Sequence, residues 1–158
     1  TGLALVLVVG AGVYVLDTEG GSRNARASVG ESTDEAGGRP VVDGQIQWRA
    51  WSNDAVESEV SAGRTVFVDF TADWCITCKV NENTVIDTPE VRKTLQDQNV
   101  AVFKADWTQP DERIRAELEA HGKGGVPMYL VYQPNRDDNP EVLPEVLTKE
   151  RLIEALSK

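Results

Sequence analysis

The sequence predicts an α/β fold, a central mixed β-sheet flanked by helices, with an N-terminal extension ahead of it. Three observations carry this. From residue 45 onward, short runs rich in β-branched and aromatic residues alternate with helical patterns. Near the end that alternation gives way to two strands joined by a polar turn and then a last helix, so the sheet is mixed. Between them Trp74-Cys75-Ile76-Thr77-Cys78-Lys79 follows an apolar strand and opens a helix.

The extension comes first. Leu3 to Leu16 is uncharged and apolar, and polarity changes abruptly at Asp17. As a helix rising about 1.5 Å per residue it spans about 20 Å, short of the ~30 Å hydrocarbon core. Residues 1–16 are read as the remnant of a transmembrane helix, in a chain that starts with Thr rather than Met and so looks like a fragment or a processed product. A signal peptide is the rival reading, since Ala25-Arg26-Ala27 imitates a cleavage site, although no basic region precedes it. A buried core helix is the third. Residues 17–44 are rich in Gly, Ser, Asp, Glu and Arg with almost no large apolar side chains. Such a segment cannot bury enough surface to offset chain entropy, and it reads as a flexible linker.

Residues 45–158 have a usual single-domain length. Gln45–Ala50 is a plausible first strand, with Trp48 and Trp51 as apolar anchors. Ser52 or Asn53 caps a helix over Asp54–Ala62 that Gly63 closes. Thr65–Phe70 is the central strand, its apolar run suited to cover on both faces. A helix carries Cys75 onward, and Thr88-Pro89 restarts one to Gln98, with Thr88 as cap and Pro89 in the first turn. Val100–Trp107 is a strand, and Pro110–His121 a helix with Ile114 and Leu118 inward, ended by Gly122. Met128–Tyr132 is a strand, Pro134–Pro140 a polar turn and Glu141–Val146 a short strand. Thr148 caps a last helix that buries Leu152, Ile153 and Leu156. There is no internal repeat.

A Cys-x-x-Cys pair at a helix start is a redox device. Exposed amide N–H groups and the helix dipole favour a thiolate on the first sulfur, and the second sits one turn later, close enough to close a disulfide. Cys75 and Cys78 are the only cysteines, so no other disulfide competes for them. Two plainer readings stand beside this. A zinc site needs about four ligands, and this chain offers one Cys pair and one histidine, His121. A structural disulfide closing so short a loop is a poor staple, because cross-link stabilisation grows with loop length. Asp69, an acid within the apolar strand and six residues before Cys75, is the candidate base for the thiol. Burial there raises its pKa toward the working range. A strand-end Asp facing solvent is the alternative, which alternation does not settle because apolar residues fill both faces.

From Val68 to Lys79, the order of apolar strand, acid, aromatic, Ala, acid, Trp and Cys-x-x-Cys-Lys resembles the thioredoxin superfamily. Gly125-Val126-Pro127 before the strand Met128–Tyr132 is similar to its second signature. The resemblance implies that Pro127 is cis and lies against the sulfurs, leaving the backbone of Val126 to pair with an extended substrate. A narrower likeness covers residues 46 to 157. Asp73-Trp74-Cys75, Cys78-Lys79, Glu82 and the ending from Pro144 to Leu152 resemble the C-terminal periplasmic domain of the DsbD family of membrane thiol:disulfide interchange proteins, or the related ScsB-like reductases. Ile76-Thr77 between the cysteines departs from the Gly-Pro of ordinary thioredoxins.

The resemblance implies a protein-disulfide reductase in which Cys75 is the nucleophile and the more exposed sulfur, and Cys78 resolves the mixed disulfide. It implies that Asp69 is a buried base, that Glu82 is a second acid near the thiols, and that Trp74 flanks the site. No cofactor is implied beyond the redox-active disulfide Cys75–Cys78, and no metal. It further implies a place on the periplasmic face of the bacterial inner membrane, tethered through the N-terminal segment. The electron donor would be a transmembrane domain of the same protein, and the acceptors periplasmic thiol/disulfide domains serving isomerases and cytochrome c maturation. A secreted, self-standing oxidase or isomerase and a non-enzymatic binding module with structural cysteines are the alternatives.

The formal net charge of −10 argues against a nucleic-acid partner. Runs such as Asp111–Glu117 read as solvated helical faces, with Arg113–Glu117 and Arg115–Glu119 at i,i+4 spacing. His121 sits at a helix end, where a cation suits the dipole, and Lys79 reads as solvated.

Overall fold

A computed structural model describes residues 38–134 and 139–158. The expectations for residues 1–16 and 17–37, and for the middle of the Pro134–Pro140 turn, lie outside the described residues. The order is β1 (Val41–Val42), β2 (Gln45–Ile46), β3 (Arg49–Ala50), α1 (Asn53–Ser61), β4 (Val66–Thr71), α2 (Ile76–Asn81), a π-helical turn (Glu82–Ile86), α3 (Pro89–Asp97), β5 (Ala101–Asp106), α4 (Glu112–Ala120), β6 (Met128–Tyr132), β7 (Glu141–Val142) and α5 (Lys149–Leu156).

β3, β5, β4, β6 and β7 form one sheet in that order. β5 runs parallel to β3 and β4, whereas β6 runs antiparallel to β4 and β7, so the sheet is mixed as expected. β4 lies in the middle and is buried on both faces, which its unbroken apolar run requires. Phe67, Tyr129 and Val131 face a core closed by the π turn, α3 and α5, through Ile86, Leu95, Leu152 and Leu156. Val68, Phe70, Phe103 and Leu130 face a second core under α1 and α4, closed by Val56, Ile114 and Leu118. Each such Phe or Leu fully removed from water contributes about 1.5–3 kcal/mol.

Several elements depart from expectation. The expected strand Gln45–Ala50 is two, and its first part pairs back on β1, with Val41 opposite Ile46. Asp43 and Gly44 at the hairpin tip have φ of 50° and 76°. An Asp-Gly pair with both residues left-handed is the turn that matches strand twist. Residues 41–44, expected to end the linker, therefore belong to the fold, and Val41 is buried. The helix expected from Pro110 starts at Glu112, because the Asp111 carboxylate accepts the N–H groups of Arg113 and Ile114. Arg113 pairs with Asp111 rather than Glu117, which holds His121 instead, while Arg115–Glu119 forms as expected. Thr88 occupies the cap position but donates its hydroxyl to the Val85 carbonyl. The strand after the polar turn ends at Val142; beyond it Leu143 donates one last N–H to the Tyr129 carbonyl at 2.9 Å, and Leu143 and Leu147 bury their side chains. Ile153 packs on the core half-buried.

Candidate active site

β4 stops at Thr71 and hands the chain to a turn clamped from the neighbouring strand end. The Thr108 hydroxyl accepts the Asp73 N–H at 2.9 Å, and the Asp106 carboxylate holds Thr108 through both its hydroxyl and its N–H. The Cys75 N–H reaches back to the Ala72 carbonyl at 3.1 Å. Cys75 thus becomes the N-cap of α2, with its sulfur accepting the Cys78 N–H at 3.1 Å. A sulfur in that place takes one of the helix's unpaired donors, the arrangement that favours a thiolate.

Cys75 and Cys78 are joined as a disulfide, their Cα atoms 5.3 Å apart. Cys75 is 6% exposed and Cys78 0%, so the first sulfur is the outer one. Val126-Pro127 is a cis peptide, and Val126 packs with Ala72 on the two cysteines. Trp74 is 58% exposed and leans on Trp107, ring centroids 6.2 Å apart.

On β4, six residues before Cys75, Asp69 is 0% exposed and neither carboxylate oxygen has a hydrogen-bond partner. Its pKa is pushed up to about 7, chiefly by burial; Lys104 opposes the rise and the nearby Glu82 carboxylate adds to it. In the sheet Asp69 lies between two register partners, Lys104 on β5 and Tyr129 on β6. Glu82 stands where α2 passes into the π turn. It accepts from Lys104 Nζ at 3.0 Å and from the Thr71 hydroxyl at 3.2 Å, with Lys79 Nζ at 3.7 Å. A pocket of about 120 Å³ between Trp48, Lys104 and Glu82 opens this side to solvent. Among the described residues no three His, Cys, Asp or Glu side chains gather as a metal would need. Chemically, two sulfurs at a helix mouth suit thiol–disulfide exchange, and a buried acid that can ionise near neutrality suits proton transfer.

The thioredoxin-like family model matches residues 47–134, more than half of the chain. The chain belongs to the thioredoxin-like family. Among relatives of this thioredoxin-like chain, the thiol:disulfide interchange protein DsbD of Ralstonia nicotianae is 28% identical over 146 residues, covering 87% of this chain and 23% of that protein. DsbD 1 of Pseudomonas aeruginosa is 35% identical over 77 residues, 49% of this chain and 13% of that protein. The chain thus spans under a quarter of the length of these curated relatives. Two solved structures share its fold. The oxidised C-terminal domain of Neisseria meningitidis DsbD has a TM-score of 0.52 at 24% identity, covering 68% of this chain and 95% of that one. A thioredoxin from Thermus thermophilus has a TM-score of 0.56 at 18% identity, covering 70% and 85%. The resemblance read from the cysteine motif and the Pro-Glu-Val-Leu-Thr ending agrees with these relatives.

The thioredoxin-like scaffold packs Cys75, Cys78 and Val126 together, with Trp74 and cis-Pro127 adjoining them in the chain, and sets Glu82 near Asp69. Lys79 is tied down, bridging Asp73 at 3.2 Å. Lys104, Thr108, Asn81 and Tyr129 were not singled out from the sequence. Lys104 carried a signal, being a lone cation within an apolar strand; the others acquire their partners only through tertiary contacts.

Proposed function

We propose that this domain is a protein-disulfide reductase that relays electrons from a membrane domain to periplasmic partner proteins. The observation that carries the proposal is the Cys75–Cys78 disulfide at the mouth of α2, packed against Val126 of the cis Val126-Pro127 bond. In the reduced protein the Cys75 thiolate attacks one sulfur of a partner disulfide. A Cys75–partner bond forms, the partner's S–S bond breaks, and the departing thiolate takes a proton. Cys78 then gives its proton to the Asp69 carboxylate and attacks Cys75 Sγ. The mixed disulfide breaks, the partner leaves as a dithiol, and the two electrons lost by Cys75 and Cys78 are those the partner gains. Asp69 returns its proton past Glu82 to the pocket between Trp48, Lys104 and Glu82. Trp74 and the free backbone of Val126 receive the partner segment.

By resemblance to the DsbD family, a cysteine pair in a transmembrane domain of the same protein re-reduces Cys75–Cys78. Residues 1–16 and the segment after them then tether the domain at the periplasmic face of the inner membrane. Insulin reduction with dithiothreitol as donor tests the chemistry: Cys75→Ser lowers it to the uncatalysed rate, and retained activity refutes the assignment. A redox titration tests the direction, since a reductase holds a reducing potential and a strongly oxidising one assigns the domain as an oxidase. Cys78→Ala, which stalls the mixed disulfide, captures the physiological partners.

A further inference from the structure

Asn81, one turn beyond Cys78, and Tyr129 are a buried polar pair. The Asn81 amide nitrogen donates to the Glu145 carbonyl at 2.7 Å and to the Tyr129 hydroxyl oxygen at 2.9 Å. A backbone carbonyl can only accept, so that contact fixes which end of the amide is nitrogen. The Asn81 oxygen, at the other end, accepts the Leu147 N–H at 3.4 Å. The Tyr129 oxygen is therefore an acceptor toward Asn81, and its own proton must point elsewhere. Among the described residues, the buried side-chain oxygens without a partner are Oδ1 and Oδ2 of Asp69. Tyr129 is the register partner of Asp69 across β4 and β6, so both side chains leave the same face of the sheet.

We propose that Tyr129 is a positioning residue for Asp69: its phenolic O–H, turned away from Asn81, is the donor that the Asp69 carboxylate takes up on losing its proton. The two groups are not hydrogen-bonded in the structure; ionisation of Asp69 supplies the strong acceptor that draws the phenol across. A charge-assisted bond of this kind is about twice as strong as a neutral one, and it favours the ionised acid. The other groups facing Asp69 are Lys104 from β5, Glu82 from the π turn and Lys79 from α2. Lys104 and Lys79 are drawn to Glu82 as well, which leaves Tyr129 as the neutral donor on the opposite side. Through this link the segment Glu145–Leu147, held by Asn81, is coupled to the proton acceptor.

The inference rests on the reading of Asp69 as the base that serves Cys78, but its test does not need turnover. In the oxidised protein neither cysteine titrates, so the Asp69 carboxyl carbon can be followed by ¹³C NMR against pH, assigned by its loss in Asp69→Asn. Tyr129→Phe is expected to raise the Asp69 midpoint by about one pH unit, a tenfold change in proton affinity. In the unaltered protein the Tyr129 Cζ resonance should titrate with the same midpoint and become flat in Asp69→Asn. An Asp69 midpoint unmoved or lowered by Tyr129→Phe, or a Tyr129 Cζ signal that stays flat while Asp69 titrates, overturns the proposal. If instead Cys75→Ser retains insulin reduction, the reductase reading fails while the titration result stands.

Discussion

Among the described residues two carboxylic acids are sealed inside this domain, and their surroundings treat them in opposite ways. Glu59 on α1 is 1% exposed and is gripped by Arg49 from β3 and by Arg64, the latter at 2.9 Å. Burial alone would raise its pKa, yet the hydrogen bonds and charges of the two guanidinium groups outweigh that and hold it below the usual glutamate value. Asp69 is 0% exposed, has no hydrogen-bond partner, and is pushed up to about 7. Burial is common to both. What differs is whether a cation reaches the carboxylate directly, and that decides whether the acid is a fixed ion or a group that exchanges protons at neutral pH. The fixed one is held on α1 by an arginine of the edge strand; the exchangeable one lies on β4, six residues before Cys75.

The largest expected effect comes from Asp69. Its pKa is higher folded than unfolded, so the folded state binds the proton more tightly. The stability associated with this is full below about pH 4, where both states are protonated, and is lost as pH rises through about 7. Above that, holding the buried charge costs on the order of 4 kcal/mol, the free-energy equivalent of a carboxyl that titrates at about 7 in place of 3.8. Asp69→Asn removes the titration while keeping the shape. Urea unfolding of the oxidised protein should show the variant more stable by up to that amount at pH 8 and nearly equal to the parent at pH 4. The same variant should slow the resolving step of exchange. A stability difference of equal size at both pH values would refute the buried-charge account.

Glu59→Gln tests the other side of the comparison. It leaves two guanidinium groups, one of them largely buried, without their anion, and breaking such a pair costs roughly 3 kcal/mol. Here the sign is reversed. A lowered folded pKa gives stability that is present above the unfolded glutamate value and disappears as pH falls through the folded one. The gap between parent and variant should therefore narrow in acid. The pH profile of disulfide exchange should stay where it is; movement of that profile would mean the two acids are coupled after all.

This contrast marks what could be read from the sequence. β4, the helix-capping cysteine and the proline loop were legible because each is specified by neighbours in the chain: an apolar run, a strand-to-helix junction, a short motif. Asp69 was legible by its place in the motif, and its burial follows from Phe67 on its own face of β4 and Val68 and Phe70 on the other. Glu59 was not. In the α1 sequence Asn53–Ser61 it looks like one more solvated acid, and only Arg49 and Arg64, arriving from the strand before and the loop after the helix, make burial tolerable. Asn81 likewise meets Tyr129 across 48 residues of chain. Glu82 was legible as a position, but its partners Lys104 and Thr71 come from two different strands. The Asp43-Gly44 hairpin was a local signal overlooked inside a polar stretch, and it moved the start of the fold back to Val41.

The smallest and most discriminating effects should come from the charges around Asp69. Lys104 lowers its pKa and Glu82 raises it, while the two also bind each other at 3.0 Å. Lys104→Met removes the stabilising cation and should move the Asp69 midpoint up. Glu82→Gln removes the repelling anion and frees Lys104 to turn toward Asp69, so both consequences move the midpoint down. Each change should be about one pH unit or less, because Lys104 and Glu82 both touch the solvent pocket and are screened there. The Asp69 carboxyl ¹³C resonance followed against pH in the oxidised protein reports them. Changes in opposite directions mean that Asp69 lacks a partner only in the hydrogen-bonding sense and is still tuned from the pocket side. A midpoint unmoved in both variants would mean that burial alone sets its value, and the contrast with Glu59 would then rest on hydrogen bonds and not on charge.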